Sequence, residues 1–269
     1  MFSVFSSIPF QAFLLYNPTV TAVNKRMFFD VLKKTVSKQK IQETGSLHMK
    51  EALVVNGGWE GHEPAPKAAL VRAWLEAAGF KVKMADSLAA FETENLKNYK
   101  LIVPIWSVMA GAVITDTQAA KVVEAVAEGV GVAGFHNGLF SFPGKFEWGF
   151  MAGAHWVAHP GGGKVKYTVN IKKVTGHPVI EGTDDFEFCS EQFYLHTDPA
   201  VMVLATTRFP VADGPHAVNG AVDMPVVFVK RWGKGRVSYC SLGHTAAEVE
   251  AGPPATLIKR CLLWSAGEL

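Results

Sequence analysis

The strongest constraint in this chain is a repeated alternation. From Met49 onward, short apolar runs closed by glycine alternate with longer segments whose apolar residues recur at helical spacing. Ala52–Val55 is followed by Gly57 and Gly58 and reads as a buried strand. Pro64 and Pro66 suit a helix start, and Leu70, Ala73, Trp74 and Ala77 then fall on one face before Gly79. Phe80–Met84 and Leu101–Ile105 are the next strands. Thr115 or Asp116 caps a second helix carrying Ala119, Val122, Val123 and Val126, which Gly129 and Gly131 end. Val130–Phe135 is a fourth strand. The order β-α-β-β-α-β, with helices of crossover length, predicts an α/β fold built on a mostly parallel open sheet flanked by helices.

The second half is richer in β signals. Val165, Tyr167, Val169 and Ile171 alternate as in a half-exposed strand. Val201–Ala205, Pro225–Val229 and Arg236–Cys240 are further strands, the last two joined by a hairpin at Arg231-Trp232-Gly233-Lys234-Gly235. Thr256–Trp264 closes the chain as an amphipathic helix. Residues 1–48 do not share this pattern. They carry six basic and two acidic side chains, a charge of +4 against −2 for the remainder. They are expected to form an extension outside the fold, 49–269 being the α/β domain. The alternative is a helix near Met27–Lys38 docked on the surface.

Composition narrows the function classes. With 49% apolar and 19% charged residues the chain is globular, not disordered or fibrous. A net charge of +2 gives no reason to expect nucleic acid as a partner. No apolar run has the length of a spanning helix, and the apolar start, Met1 to Tyr16, lacks a basic lead and is broken by Gln11, so neither membrane nor secretion is expected. Three cysteines without a CxxC point to a reducing, cytoplasmic setting.

Histidines supply the candidate chemistry. Ligands of an open parallel sheet bind beyond the carboxyl ends of its strands, and three histidines sit there beside glycine. His62 follows the first strand in Gly57-Gly58-Trp59-Glu60-Gly61-His62. His136 follows the fourth in Gly134-Phe135-His136-Asn137-Gly138. His244 follows a late strand in Ser241-Leu242-Gly243-His244. His155 and His159, four apart, would share a helical face as metal ligands, although Pro160 disfavours helix there. Glu191, beside Tyr194, is a carboxylate in an apolar stretch, able to serve as base, ligand or paired surface group. His177 and His216 read as turn residues. No GxGxxG follows the first strand, a GxxxxGK[ST] and a GxSxG are absent, and none of Cys189, Cys240 and Cys261 has the setting of a nucleophile.

These pieces, taken in order, resemble the ThuA-like family, named for trehalose utilisation. The resemblance rests on Asn56-Gly57-Gly58…Gly61-His62, Gly131-Val132-Ala133-Gly134-Phe135-His136-Asn137 and Gly153-Ala154-His155-Trp156…His159-Pro160. It continues through Gly176-His177-Pro178, Glu191-Gln192-Phe193-Tyr194 and Gly233-Lys234-Gly235-Arg236-Val237…Leu242-Gly243-His244-Thr245. It spans about Lys50 to Trp264. It implies the class I glutamine amidotransferase-like, flavodoxin-like fold, with His136 where those enzymes carry their cysteine and His244 near the position of their histidine. Imidazole cannot form the required thioester, so the glutaminase chemistry is expected to be lost.

In its place the resemblance implies His136, His244 and Glu191 as catalytic groups. His62, His136 and His244 would be ligands of a divalent metal such as zinc. Gly58, Trp59, His62, Trp106, Asn137 and Tyr194 would contact the substrate, with Trp59, Trp106 and Phe140 as stacking walls for a sugar. The substrate implied is a small carbohydrate, trehalose or a related disaccharide or keto-sugar, with homo-oligomerisation open. Two rival expectations stand beside this enzyme: a non-catalytic carbohydrate-binding or regulatory protein on the same fold, and an amidotransferase-like hydrolase using a cysteine.

Overall fold

A computed structural model describes residues 50–107 and 113–269. The expectation for 1–48 lies outside the described residues. The first strand, β1 (Lys50–Gly58), is buried on both faces. Ala52 and Val54 point to one side, Leu53 and Val55 to the other. That double burial is why its sequence is a continuous apolar run and not an alternation. Helix α1 (Pro64–Ala77) returns the chain to β2 (Phe80–Ala85), which pairs parallel with β1. A short helix α2 (Ala90–Thr93) leads to β3 (Leu101–Ser107), parallel to β1 on its other side. Helix α3 (Asp116–Glu128) starts at a full capping box between Thr115 and Gln118 and feeds β4 (Gly131–Phe135).

Helix α4 (Phe146–Ala152) and strand β5 (Ala154–Ala158) follow, then β6 (Val165–Ile171), β7 (Phe186–Ser190), β8 (Tyr194–Thr197), β9 (Met202–Phe209), β10 (Val222–Trp232), β11 (Gly235–Cys240) and helix α5 (Gly252–Ser265). Nine strands form one sheet in the order β2-β1-β3-β4-β11-β10-β9-β6-β7. From β2 to β11 all neighbours are parallel, as the first half of the sequence predicts. From β11 to β7 they are antiparallel. The β-rich second half therefore extends the parallel sheet. Helices α1 and α5 cover one face through Val71, Leu75, Leu257 and Leu262, and α3 and α4 cover the other through Val122, Val126, Trp148 and Met151.

Two short strands escape the sequence reading. β5 and β8 pair as a separate ribbon, with His155 opposite His196. Their five and four residues have too little periodicity to read, and only partners some forty residues apart define them. The ribbon also corrects the expectation for His155 and His159. The backbone there is extended, not helical. His155 lies against Gly149, where a Cβ would come within 2.2 Å of its ring. His159 turns toward Glu191. The two do not form a ligand pair. No helix among the described residues is long and apolar enough to cross a membrane.

Candidate functional site

The chain reverses its winding direction between β1 and β3, and the carboxyl ends of the parallel strands meet around that point. His62 sits on a single helical turn (Glu60–His62) beyond β1, His136 directly beyond β4 and His244 four residues beyond β11. Glu191 arrives from the other end of the sheet, one residue past β7. One ligand atom from each of these four residues lies within 4.8 Å of all the others. Ring centroids separate His62 from His136 by 4.8 Å, His62 from His244 by 5.0 Å and His136 from His244 by 5.4 Å.

Local backbone geometry sets each ring. Gly58 has φ +88°, and a Cβ there would stand 1.9 Å from the Ser107 carbonyl oxygen. The glycine thus lets the end of β1 close on the end of β3. Its close approach is to protein backbone. Ser107 in turn meets His62 Nδ1 through its hydroxyl at 2.7 Å. His136 adopts φ +50°, a left-handed conformation costly for a side chain of this size. Its N–H donates to the Cys240 carbonyl and its own carbonyl accepts from the Tyr239 hydroxyl, each at 2.8 Å. Those bonds hold the turn and aim the imidazole inward, as a strand-to-helix elbow does for a nucleophile.

The electrostatics define what the cluster lacks. His62 and His136 are almost fully buried. Burial, with the Lys67 ammonium next in effect, holds His62 down at about 4 and His136 well below the usual imidazole range. Both rings are therefore neutral near pH 7. The Nδ1 of His136 faces the Ser241 carbonyl at 3.4 Å, and a carbonyl can only accept, so Nδ1 carries the proton. Its Nε2 is then a bare lone pair, buried, without a hydrogen-bond partner, and 3.5 Å from Glu191 Oε2. Glu191 Oε1 stands 3.2 Å from His244 Nδ1, which also makes no well-directed hydrogen bond, and 3.8 Å from His159 Nε2. Four donor atoms gather here within 4.8 Å of one another. Imidazole nitrogens with a carboxylate are the donor types a divalent transition metal takes, and His62 and His136 each meet a second polar group through the other ring nitrogen.

The expected substrate-contacting residues divide. Trp59 packs its ring edge on His62 at 4.7 Å and remains over one-third exposed, at the mouth of the cluster. Asn137 lines a small pocket behind His62 with Trp106, Ser107 and Gly138. Trp106 is buried, its ring filling the space a Cβ of Gly57 would need. Phe140, expected as a stacking wall, packs on Tyr239 with ring centroids 4.2 Å apart. Tyr194 is not in the cluster. It contacts Phe209 at 5.0 Å and lines a separate groove with Val157, Pro160 and His216. His177 caps the turn Pro178–Ile180, and His216 bonds the Ala212 carbonyl, the turn roles the sequence predicts.

Lys67, Ser107 and Ser241 escaped the sequence reading. Lys67 had a signal: it interrupts the buried face Pro64, Ala68, Val71 and Leu75 of α1. The two serines had none. The two buried thiols are poor nucleophiles, and the third lies on an edge strand. Cys240 and Cys261 are buried, which pushes Cys240 up to about 12 and Cys261 up as well, and Cys189 is exposed on the edge strand β7.

Comparison with known proteins agrees with this fold. The fold is shared with a ThuA-like protein from Bacteroides uniformis (17% identity, TM-score 0.64, covering 82% of this chain and 93% of that one). A ThuA-like protein from Parabacteroides merdae is similar over 81% of this chain and 90% of its own (18% identity, TM-score 0.61). A β-galactosidase from Bacillus circulans shares the fold over 82% of this chain but only 31% of its own (15% identity, TM-score 0.51). A search of curated proteins returns no match. The model of the ThuA family, described as trehalose utilisation, matches residues 51–265, which include every member of the cluster, and the chain belongs to that family.

Proposed function

We propose that this protein is an enzyme of carbohydrate breakdown that works through a divalent cation such as zinc held by His62, His136 and His244. The family's description connects the chain with carbohydrate utilisation at family level. The observation that carries the finer reading is the buried, unprotonated Nε2 of His136 facing the Glu191 carboxylate at 3.5 Å. Two acceptors in that position repel, and a cation between them removes the cost. A bound ion of this kind polarises a substrate oxygen or lowers the pKa of a bound water.

The chain's own groups do the rest. Neutral His62 and His136 stay unprotonated near pH 7 and so remain competent as ligands. Glu191, whose two oxygens reach His136 and His244, either completes the ligand set or takes a proton from a substrate hydroxyl. Trp59 offers the exposed aromatic face on which a sugar ring stacks. The substrate is a small carbohydrate, trehalose or a related disaccharide or keto-sugar. The unpaired thiols fit a cytoplasmic setting.

Metal analysis of the purified protein and of His136→Ala, paired with a product screen over trehalose and its oxidised derivatives, tests this. About one equivalent of transition metal is expected in the wild type, lost in the variant together with turnover. A protein that holds no metal after supplementation and alters no sugar in the panel is the binding protein of the rival reading.

A further inference from the structure

Behind the cluster lies a lysine that the metal reading does not use. Lys67, in the first turn of α1, is 3% exposed. Its ammonium donates to the Gly243 carbonyl at 3.1 Å and lies 5.6 Å above the Phe135 ring. It forms no ion pair among the described residues. An ammonium has three donors, and this one uses a single hydrogen bond. Leaving two N–H groups of a buried cation unmatched is costly unless something occupies the space in front of them.

That space exists. Lys67, His62, Ser107 and Asn137 line the same small pocket, floored by Ile105, Phe135 and Gly138. Asn137 contributes a second unmatched group, since its Oδ1 is buried without a hydrogen-bond partner. Gly138 lets the turn after β4 close on the β3 backbone beside the pocket, where a Cβ would come within 2.3 Å of the Pro104 carbonyl. A cationic donor and a neutral acceptor sharing one tight pocket match a hydroxyl oxygen, which accepts from one and donates its proton to the other. We propose that this pocket is a subsite for one hydroxyl of the sugar, with the Lys67 ammonium donating to its oxygen and Asn137 Oδ1 accepting its hydrogen. The proposal deepens the carbohydrate reading and rests on it for the identity of the ligand, but the donor site itself stands on Lys67 and Asn137. Glu248, Glu63 and Glu191 are the acidic groups whose fields favour the ammonium, while burial brings it down to about 8.

Glycerol is a suitable probe because each of its hydroxyls both accepts and donates a hydrogen bond, as the subsite requires. Crystals of the wild type and of Lys67→Met are soaked in glycerol, and data are collected to high resolution and at the zinc edge. The expected result is a hydroxyl oxygen within about 3.5 Å of both Lys67 Nζ and Asn137 Oδ1. In Lys67→Met that density is lost while surface glycerol sites persist. A wild-type map with surface glycerol but none at Lys67 overturns the subsite, and so does glycerol that keeps the same place in Lys67→Met. The wild-type map decides the matter even if the variant fails to fold. The zinc-edge signal reports on the cluster separately, so loss of the metal reading leaves the Lys67 result legible.

Discussion

Acid should unfold the metal-free protein through His62, and the size of the effect follows from its burial. In the unfolded chain this imidazole titrates near 6.5; in the fold it is held at about 4. The native state therefore binds fewer protons between those values, and stability rises with pH across that window. The contribution is complete above pH 6.5 and is lost as pH falls toward 4. Linkage gives a loss of about 2 kcal/mol at pH 5 and roughly 3 kcal/mol at pH 4 relative to pH 7. His136, also held low, adds to the loss in the same sense. His62→Gln isolates the one ring, because a carboxamide can keep a hydrogen bond to Ser107 without titrating. Urea unfolding of chelator-treated protein, followed by tryptophan fluorescence at pH 7 and pH 5, should show the wild type losing about 2 kcal/mol more than His62→Gln. The His136 contribution is largely common to both proteins, because burial and Lys67 outrank the His62 charge in holding that ring down. Equal losses would refute the argument that burial keeps this ring neutral.

Other consequences are local. Gly58→Ala places a methyl group 1.9 Å from the Ser107 carbonyl at φ +88°, and calorimetry should show a loss of about 2–4 kcal/mol. Thr115→Ala removes the capping box of α3 and should lower Tm by about 2–4 °C, for about 1 kcal/mol. Iodoacetamide applied to the native protein should add one label, at Cys189, with Cys240 and Cys261 reacting only after unfolding. Labelling that instead abolished a sugar-processing activity would restore the cysteine-enzyme alternative.

The legible part of this protein is the part in which short-range pattern and long-range structure agree. Ala52–Val55, Val165–Ile171 and the β10–β11 hairpin were readable because apolar runs, alternation and turn glycines are local signals. The three histidines were readable as candidates because each follows such a strand within a glycine-rich turn. Lys67 was readable in principle, as a charge on an otherwise apolar helix face, but helix periodicity does not say what covers that face. β5 and β8 were not readable. Tyr194 looked like a site residue from its neighbour Glu191, yet it opens β8, which pairs with β5, and it faces another groove.

By itself the order of residues determined the α/β alternation, the parallel half of the sheet and the placing of His62, His136 and His244 just past strand ends, since each depends only on neighbours a few positions apart. Tertiary structure alone decided that Glu191 crosses from the far edge strand to stand between two of those rings. It decided too that Ser107 and Ser241 orient the imidazoles, and that an ammonium lies buried behind them. The physical reason is the same in each case. Ligand geometry depends on distances of a few ångströms between residues as far as 182 positions apart in the chain, as His62 and His244 are, and only the packing of the whole sheet sets those distances.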